Sequence, residues 1–148
     1  MQALFIIIGR SESLIKNQNK LMNKSNFDAE TSIASLKEVV KKFCELRDWD
    51  QYHDPKELSI AIITEASELL EIFRFKTKED MEQMFQDSEK RMKIADELSD
   101  VLYFLLRFSQ KYNFDLANEF NRKMVENEMK YPIDLFKGSN RKYSEDSK

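Results

Sequence analysis

Two short acidic pairs stand where a core should be. Glu65-Ala-Ser-Glu68 and Glu97-Leu-Ser-Asp100 each hold two carboxylates at i and i+3, which a helix brings to one side. At ~100° per residue, Glu65 falls inside the apolar stripe of Leu58, Ile62, Leu69 and Ile72, with Glu68 at its edge. Glu97 falls inside the stripe of Ile94, Val101, Phe104 and Phe108, with Asp100 at its edge. Acidic residues of an amphipathic helix ordinarily lie opposite its apolar face. Burying carboxylates without a partner is costly, so the fold has to bring something positive to them. For two acidic pairs on facing helices the simplest partner is a hard divalent cation taking oxygen ligands: Mg²⁺, with Mn²⁺ as a substitute. A lone Glu-x-x-Glu is commonplace on solvated helix faces. Two such pairs, both on apolar stripes of consecutive helices, carry the metal-site reading.

The rest of the chain narrows the chemistry. Two Gly and two Pro in 148 residues leave few places to break a helix. With 34% charged residues and a net charge of -3, the chain has no basic excess for a nucleic-acid polymer. Cys44 is the only cysteine, so there is no disulfide framework; a reducing, cytoplasmic setting fits it. His53 is the only histidine, which argues against zinc-hydrolase sites and against a di-iron bundle built on paired Glu-x-x-His. Leu4–Ile8 is far short of the ~20 apolar residues of a membrane span.

Residues 1–28 form an N-terminal extension, with Leu4–Ile8 open to reading as a strand, an edge contact or a disordered tail. Residues 29–136 read as a helical domain and 137–148 as a polar tail. Ile33, Leu36, Val40 and Phe43 recur at helical spacing, with Val39 and Leu46 widening the face, and predict a first helix over about 30–47. An aromatic and polar loop, Asp48–His53, follows. Asp54-Pro55 is a helix start, and this second helix runs to about Phe75. Thr77-Lys-Glu-Asp80 resembles a capping box. A third helix is expected over about 88–112, and a fourth from Asp115 to Lys130, stopped by Tyr131-Pro132. Met81, Met84 and Met92 read as packing. The expectation is an all-α, four-helix-bundle-like fold. Apolar surplus at Leu102, Leu105, Leu106 and Phe108 spans more than one face of the third helix and predicts a subunit contact.

With these residues in view, the sequence resembles the all-α nucleotide pyrophosphohydrolases related to MazG. Their Glu-x-x-Glu, spacer, Glu-x-x-Asp pattern is matched by Glu65, Glu68, Glu97 and Asp100. It is most similar to the dCTP pyrophosphatase branch, through Glu45–His53, Glu65–Phe73, Glu97–Leu102, Lys123-Met124, Asn127, Tyr131-Pro132 and Arg141–Glu145. The resemblance implies Mg²⁺-dependent hydrolysis between the α- and β-phosphates, giving a nucleoside monophosphate and pyrophosphate, as in sanitation of a nucleotide pool. It carries Glu65, Glu68, Glu97 and Asp100 over as metal ligands, and leaves Glu68 and Glu71 as candidates for activating the water. Lys123, Asn127 and Lys130 are placed to hold the outer phosphates, with Tyr131 adding a hydroxyl. Trp49 and Phe75 would be the aromatic platform for the base, with Gln51 and His53 nearby. Three positions depart from the branch: Val40 replaces a histidine, Phe75 a second tryptophan, and Phe104 a tyrosine, although Tyr103 is adjacent. All three bear on the base pocket. The substrate expected is therefore dCTP or a modified dCTP, with dUTP or another nucleotide, or a non-catalytic helical module, as alternatives. The resemblance also implies a homodimer or tetramer.

Overall fold

The computed structural model describes residues 27–145, so the readings placed on residues 1–26 lie outside the described residues. Among the described residues every regular element is helical and none is a strand, as the sequence predicts. The helices are α1 (Phe27–Glu30), α2 (Ile33–Glu45), α3 (Pro55–Phe73), α4 (Lys78–Met84), α5 (Ser88–Lys111), α6 (Leu116–Lys130) and α7 (Ile133–Phe136). Single 3₁₀ turns occupy Asp50–Tyr52 and Tyr143–Glu145. Backbone contacts divide the chain into two units, Met1–Ser35 and Leu36–Lys148.

Within the first unit, Ser32 sets the start of α2. Its Oγ accepts from the Ser35 backbone N–H at 3.1 Å, and the Ser35 hydroxyl donates to the Ser32 carbonyl at 2.7 Å. The helix therefore begins later than periodicity alone indicates. It also ends earlier, at Glu45, because Asp48 turns the backbone to φ 53°, a conformation that Asp tolerates better than most residues.

The second unit contains the site. Asp54 caps α3 by accepting from the Glu57 N–H at 2.9 Å, with Pro55 in the first helical position. That helix stops at Phe73, since Arg74 is extended and Phe75 takes φ 59°. The Thr77–Asp80 capping box is present in both halves: the Asp80 N–H donates to Thr77 Oγ1 at 3.1 Å and the Thr77 N–H to Asp80 Oδ2 at 3.0 Å. Asp87 caps α5 through the Glu89 and Lys90 N–H groups, and Asp115 caps α6 through Asn118. The short α7 just beyond Pro132 is an element that periodicity did not signal.

The dominant helix pair is α3 against α5. Leu58 and Ile94, the first members of the two apolar stripes, are buried; Ile62, Leu69, Ile72, Val101, Phe104 and Phe108 are half-buried. A core cluster of Val40, Cys44 and Leu106 joins α2 to α5, with Leu36 and Tyr103 packed against it. Val39 and Leu46, expected to widen the buried face of α2, are instead 64% and 80% exposed. Their directions carry them off the side that meets α5.

Candidate active site

Helices α3 and α5, packed on each other, bring carboxylates together. Glu65 and Glu68 from α3 and Glu97 from α5 each offer an oxygen, and these oxygens all lie within 4.8 Å of one another. Glu65 and Glu97 are half-buried and Glu68 is exposed. Asp100 lies outside that trio, one turn along α5, yet its charge still acts on Glu65. The Glu65 carboxyl is pushed above its ordinary range, first by burial and then by the negative charges of Glu68, Asp100 and Glu97. Among the described residues none of these four acids is in an ion pair. A pocket of oxygens about 4–5 Å across, all anionic and lacking a protein cation, has the donor set and span of a site for a hard divalent ion.

The other sequence-predicted residues divide into groups. Glu71 faces away from the cluster's apolar stripe and is engaged by Arg74, whose Nη1 lies 2.6 Å from Glu71 Oε1. Phe75 follows on the short connection to α4; its ring is 89% exposed and the Arg74 guanidinium lies 4.6 Å from the ring centre. A bulky residue at positive φ is a strained choice, and here it holds an aromatic ring out in the open. On α6, Lys123 Nζ is 3.1 Å from Glu126, and Asn127 Nδ2 is 3.9 Å from the Met124 sulfur. Lys130 Nζ sits 5.5 Å from the centre of the Tyr143 ring, which meets Tyr131 edge-on at 5.6 Å.

Trp49 and His53 lie on the loop between α2 and α3. Trp49 contacts Phe43 and His53 edge-to-face, with ring centres 5.6 and 6.4 Å apart. Phe43 meets Tyr103 at 5.9 Å, and Tyr103 meets Phe104 at 4.8 Å. An unbroken line of aromatic rings thus runs from the loop to α5. Gln51 spends its side-chain amide on Asp48, at 3.0 Å to the carboxylate and 3.1 Å to the carbonyl, so it organises the loop locally. Val40 is buried in the core cluster, and the Tyr103 hydroxyl lies 3.1 Å from Cys44 Sγ. Burial and that thiol raise the Tyr103 hydroxyl well above the ordinary tyrosine range.

Sequence reasoning passed over the residue that ties this loop down. Arg107 is 1% exposed. It pairs with Asp50, donates from Nε to His53 Nδ1 at 2.9 Å, and donates from Nη1 to Gln110. Lys111 Nζ donates to the Asp50 carbonyl, and Tyr112 Oη to the His53 carbonyl at 3.3 Å. The signal was present: Arg107 is a charge inside the apolar run Leu105–Phe108, the same anomaly that marks Glu65 and Glu97.

The sequence pattern of the MazG-like family matches residues 60–145, the span that carries both acidic pairs. The chain belongs to the MazG-like family. Among curated relatives, dCTP pyrophosphatase 1 of Homo sapiens is 32% identical over 120 residues, covering 81% of this chain and 71% of that protein. The Bos taurus protein of the same name is 31% identical over the same length. A crystal structure of a pyrophosphatase from Archaeoglobus fulgidus is also similar, at 31% identity and a TM-score of 0.62, covering 67% of this chain and 91% of its own. Membership makes this MazG-like chain a nucleoside triphosphate pyrophosphohydrolase by class. No helix among the described residues is long and apolar enough to cross a membrane.

Proposed function

We propose that this enzyme hydrolyses dCTP or a modified dCTP to the monophosphate and pyrophosphate with Mg²⁺ as its metal. The observation that carries the reading is the meeting of Glu65, Glu68 and Glu97 across α3 and α5 within 4.8 Å. In this reading the trio, joined by Asp100, holds the metal. A divalent ion held by these carboxylates would offset the triphosphate's charge and polarise the α-phosphoryl group. Glu68 accepts the proton of the attacking water; Glu71 is the weaker candidate because Arg74 already engages it. Lys123, Asn127, Lys130 and Tyr131 receive the outer phosphates, which requires Lys123 to exchange Glu126 for substrate. Trp49 and Phe75 stack the base, Phe104 borders it, and Gln51 and His53 line the loop beside it.

The base preference is the finer part of the proposal, and the support for it is the set of relatives named dCTP pyrophosphatase 1. The departures at Val40, Phe75 and Phe104 make dUTP or another nucleotide the competing substrate. A product analysis on a panel of NTPs and dNTPs, with and without Mg²⁺, tests all of this. Monophosphate plus pyrophosphate, fastest on dCTP and absent after chelation, is the expected result. The same products on a different base would keep the reaction and reassign the pocket. A folded protein with no turnover on any nucleotide would leave a non-catalytic helical module.

We further infer a homo-oligomer, a dimer or tetramer, acting in the cytoplasm on the free nucleotide pool. Supporting it, Leu98, Leu102 and Leu105 of α5 and Phe120, Val125 and Met129 of α6 are all more than 40% exposed in the single chain. Apolar surface on that scale is usually covered. Light scattering that returns a monomer under active conditions would contradict it.

A further inference from the structure

The buried guanidinium of Arg107 is not needed to hold a metal or a phosphate, yet it lies under the loop that carries Trp49 and His53. Its surroundings define what it does. Every N–H of an arginine is a donor and none of its atoms accepts. The 2.9 Å contact from Arg107 Nε to His53 Nδ1 therefore requires a bare lone pair on Nδ1. A neutral imidazole that keeps Nδ1 bare carries its hydrogen on Nε2. A hydrogen on Nδ1 would point at the Arg107 N–H and break the contact.

We propose that Arg107 is a positioning residue for nucleotide recognition, holding His53 as a neutral imidazole protonated on Nε2 so that the Trp49–His53 loop offers substrate one fixed hydrogen-bond donor. The proposal rests on the reading of His53 as a substrate contact. It deepens that reading by stating the ligand chemistry: His53 addresses an acceptor, such as a base carbonyl or ring nitrogen. It also removes His53 from consideration as the general base, because its one basic nitrogen is already taken.

Several groups hold the geometry. Asp50, on the 3₁₀ turn, pairs with Arg107 through Nη2 and so fixes the guanidinium whose Nε meets His53. Gln110 occupies Arg107 Nη1. Lys111 and Tyr112 bind the carbonyls of Asp50 and His53. The loop is thus pinned at side chain and backbone to the C-terminal half of α5, the helix that carries Glu97 in its other half. The charged groups that act on the ring are Arg107 and Lys111 from α5 and Asp50 from its own turn. Burial first, then the two cations, lower the His53 pKa against the smaller opposing effect of Asp50.

His53 is the only histidine in the chain, so long-range proton–nitrogen NMR of the full-length ¹⁵N-labelled protein reads a single imidazole. The expected spectrum has a hydrogen on Nε2 and a bare Nδ1, unchanged to a pH below the ordinary imidazole midpoint of ~6.5. In Arg107→Gln the two tautomers should mix and the midpoint should rise. KM for the best nucleotide should rise about tenfold, while kcat stays within about twofold, as for one lost substrate hydrogen bond. Wild-type protein with the hydrogen on Nδ1, or with both tautomers in rapid exchange, overturns the proposal. So does a folded Arg107→Gln with wild-type tautomer and KM. If Arg107→Gln fails to fold, the wild-type spectrum and its pH course still decide. An Nε2–H imidazole in a protein that turns over no nucleotide would support the lock and overturn the pyrophosphohydrolase reading instead.

Discussion

Helix α5 carries two charged sites about ten residues apart, roughly 15 Å along the helix, and they are finished in opposite ways. Around Glu97 three carboxylate oxygens gather within 4.8 Å with no ion-paired cation among the described residues. Around Arg107 every charge has its partner: Asp50 on the guanidinium, His53 and Gln110 on its remaining donors, Lys111 and Tyr112 on the loop's carbonyls. Both place charges inside an apolar stripe. The protein completes one from its own side chains; the other has no such partner among the described residues, as the proposed metal site requires. A paired charge that is 1% exposed holds structure, whereas crowded, partly exposed like charges favour a cation if one is supplied.

The sharpest way to break this contrast is at the acids. Replacing Glu68 or Glu97 by Gln should lower turnover by about 100-fold or more, the scale on which metal-site changes act. The apo protein should lose no stability, because one of several repelling charges is gone. A variant that keeps full turnover would make the cluster an ordinary solvated face.

The next test removes the counter-charge at the other site. Asp50→Asn should destabilise the fold by about 1.5 kcal/mol: the buried guanidinium loses its charged partner, but Asp50 is more than half exposed and solvent screens the pair. Equilibrium urea unfolding would measure it. A change near zero would mean that solvent reaches Arg107 in place of Asp50.

Acidification should move the two sites in opposite directions. The Glu65 carboxyl is raised, so the folded state holds its proton more tightly than the unfolded chain does. Its contribution favours folding at low pH and is lost as pH rises through and above the ordinary carboxylate range near pH 4. Asp50 is lowered, first by the hydrogen bond from Arg107, and His53 is lowered by burial. Their contributions are present at neutral pH and are lost as pH falls: His53 below about 6.5, Asp50 below about 4. Thermal scans against pH should therefore bring Glu65→Gln and Asp50→Asn close to wild type below about pH 4 and part them from it in opposite senses at neutral pH, Glu65→Gln the more stable and Asp50→Asn the less. Added Mg²⁺ should stabilise wild type at neutral pH by about 2.7 kcal/mol at a hundred times Kd, read as a raised Tm, and Glu65→Gln much less.

The smallest effect provides the baseline. Thr77→Ala removes an N-cap that belongs to neither site and should cost about 1 kcal/mol with turnover unchanged.

Much of this was legible in the order of residues. The caps Asp54, Thr77 and Asp115 are local chemistry within four residues, and each sits where it was read. The off-pattern acids follow from helical period alone, because Glu65 shares a face with Leu58 and Ile62 wherever the helix packs. Composition and periodicity likewise pointed to the all-α class, and the resemblance carried by Glu65, Glu68, Glu97 and Asp100 pointed to the MazG-like family.

Other features belong to the tertiary structure. That Glu65, Glu68 and Glu97 share a space of 4.8 Å while Asp100 stands outside it depends on how α3 lies on α5. That Val40 is core while Val39 is open depends on where α5 meets α2, which one helix's period leaves undetermined between adjacent directions. The union of Arg107 with His53, fifty-four positions earlier, has no local signature. Periodicity can mark a charge as misplaced, but only the packing of distant segments shows whether the chain itself supplies its partner.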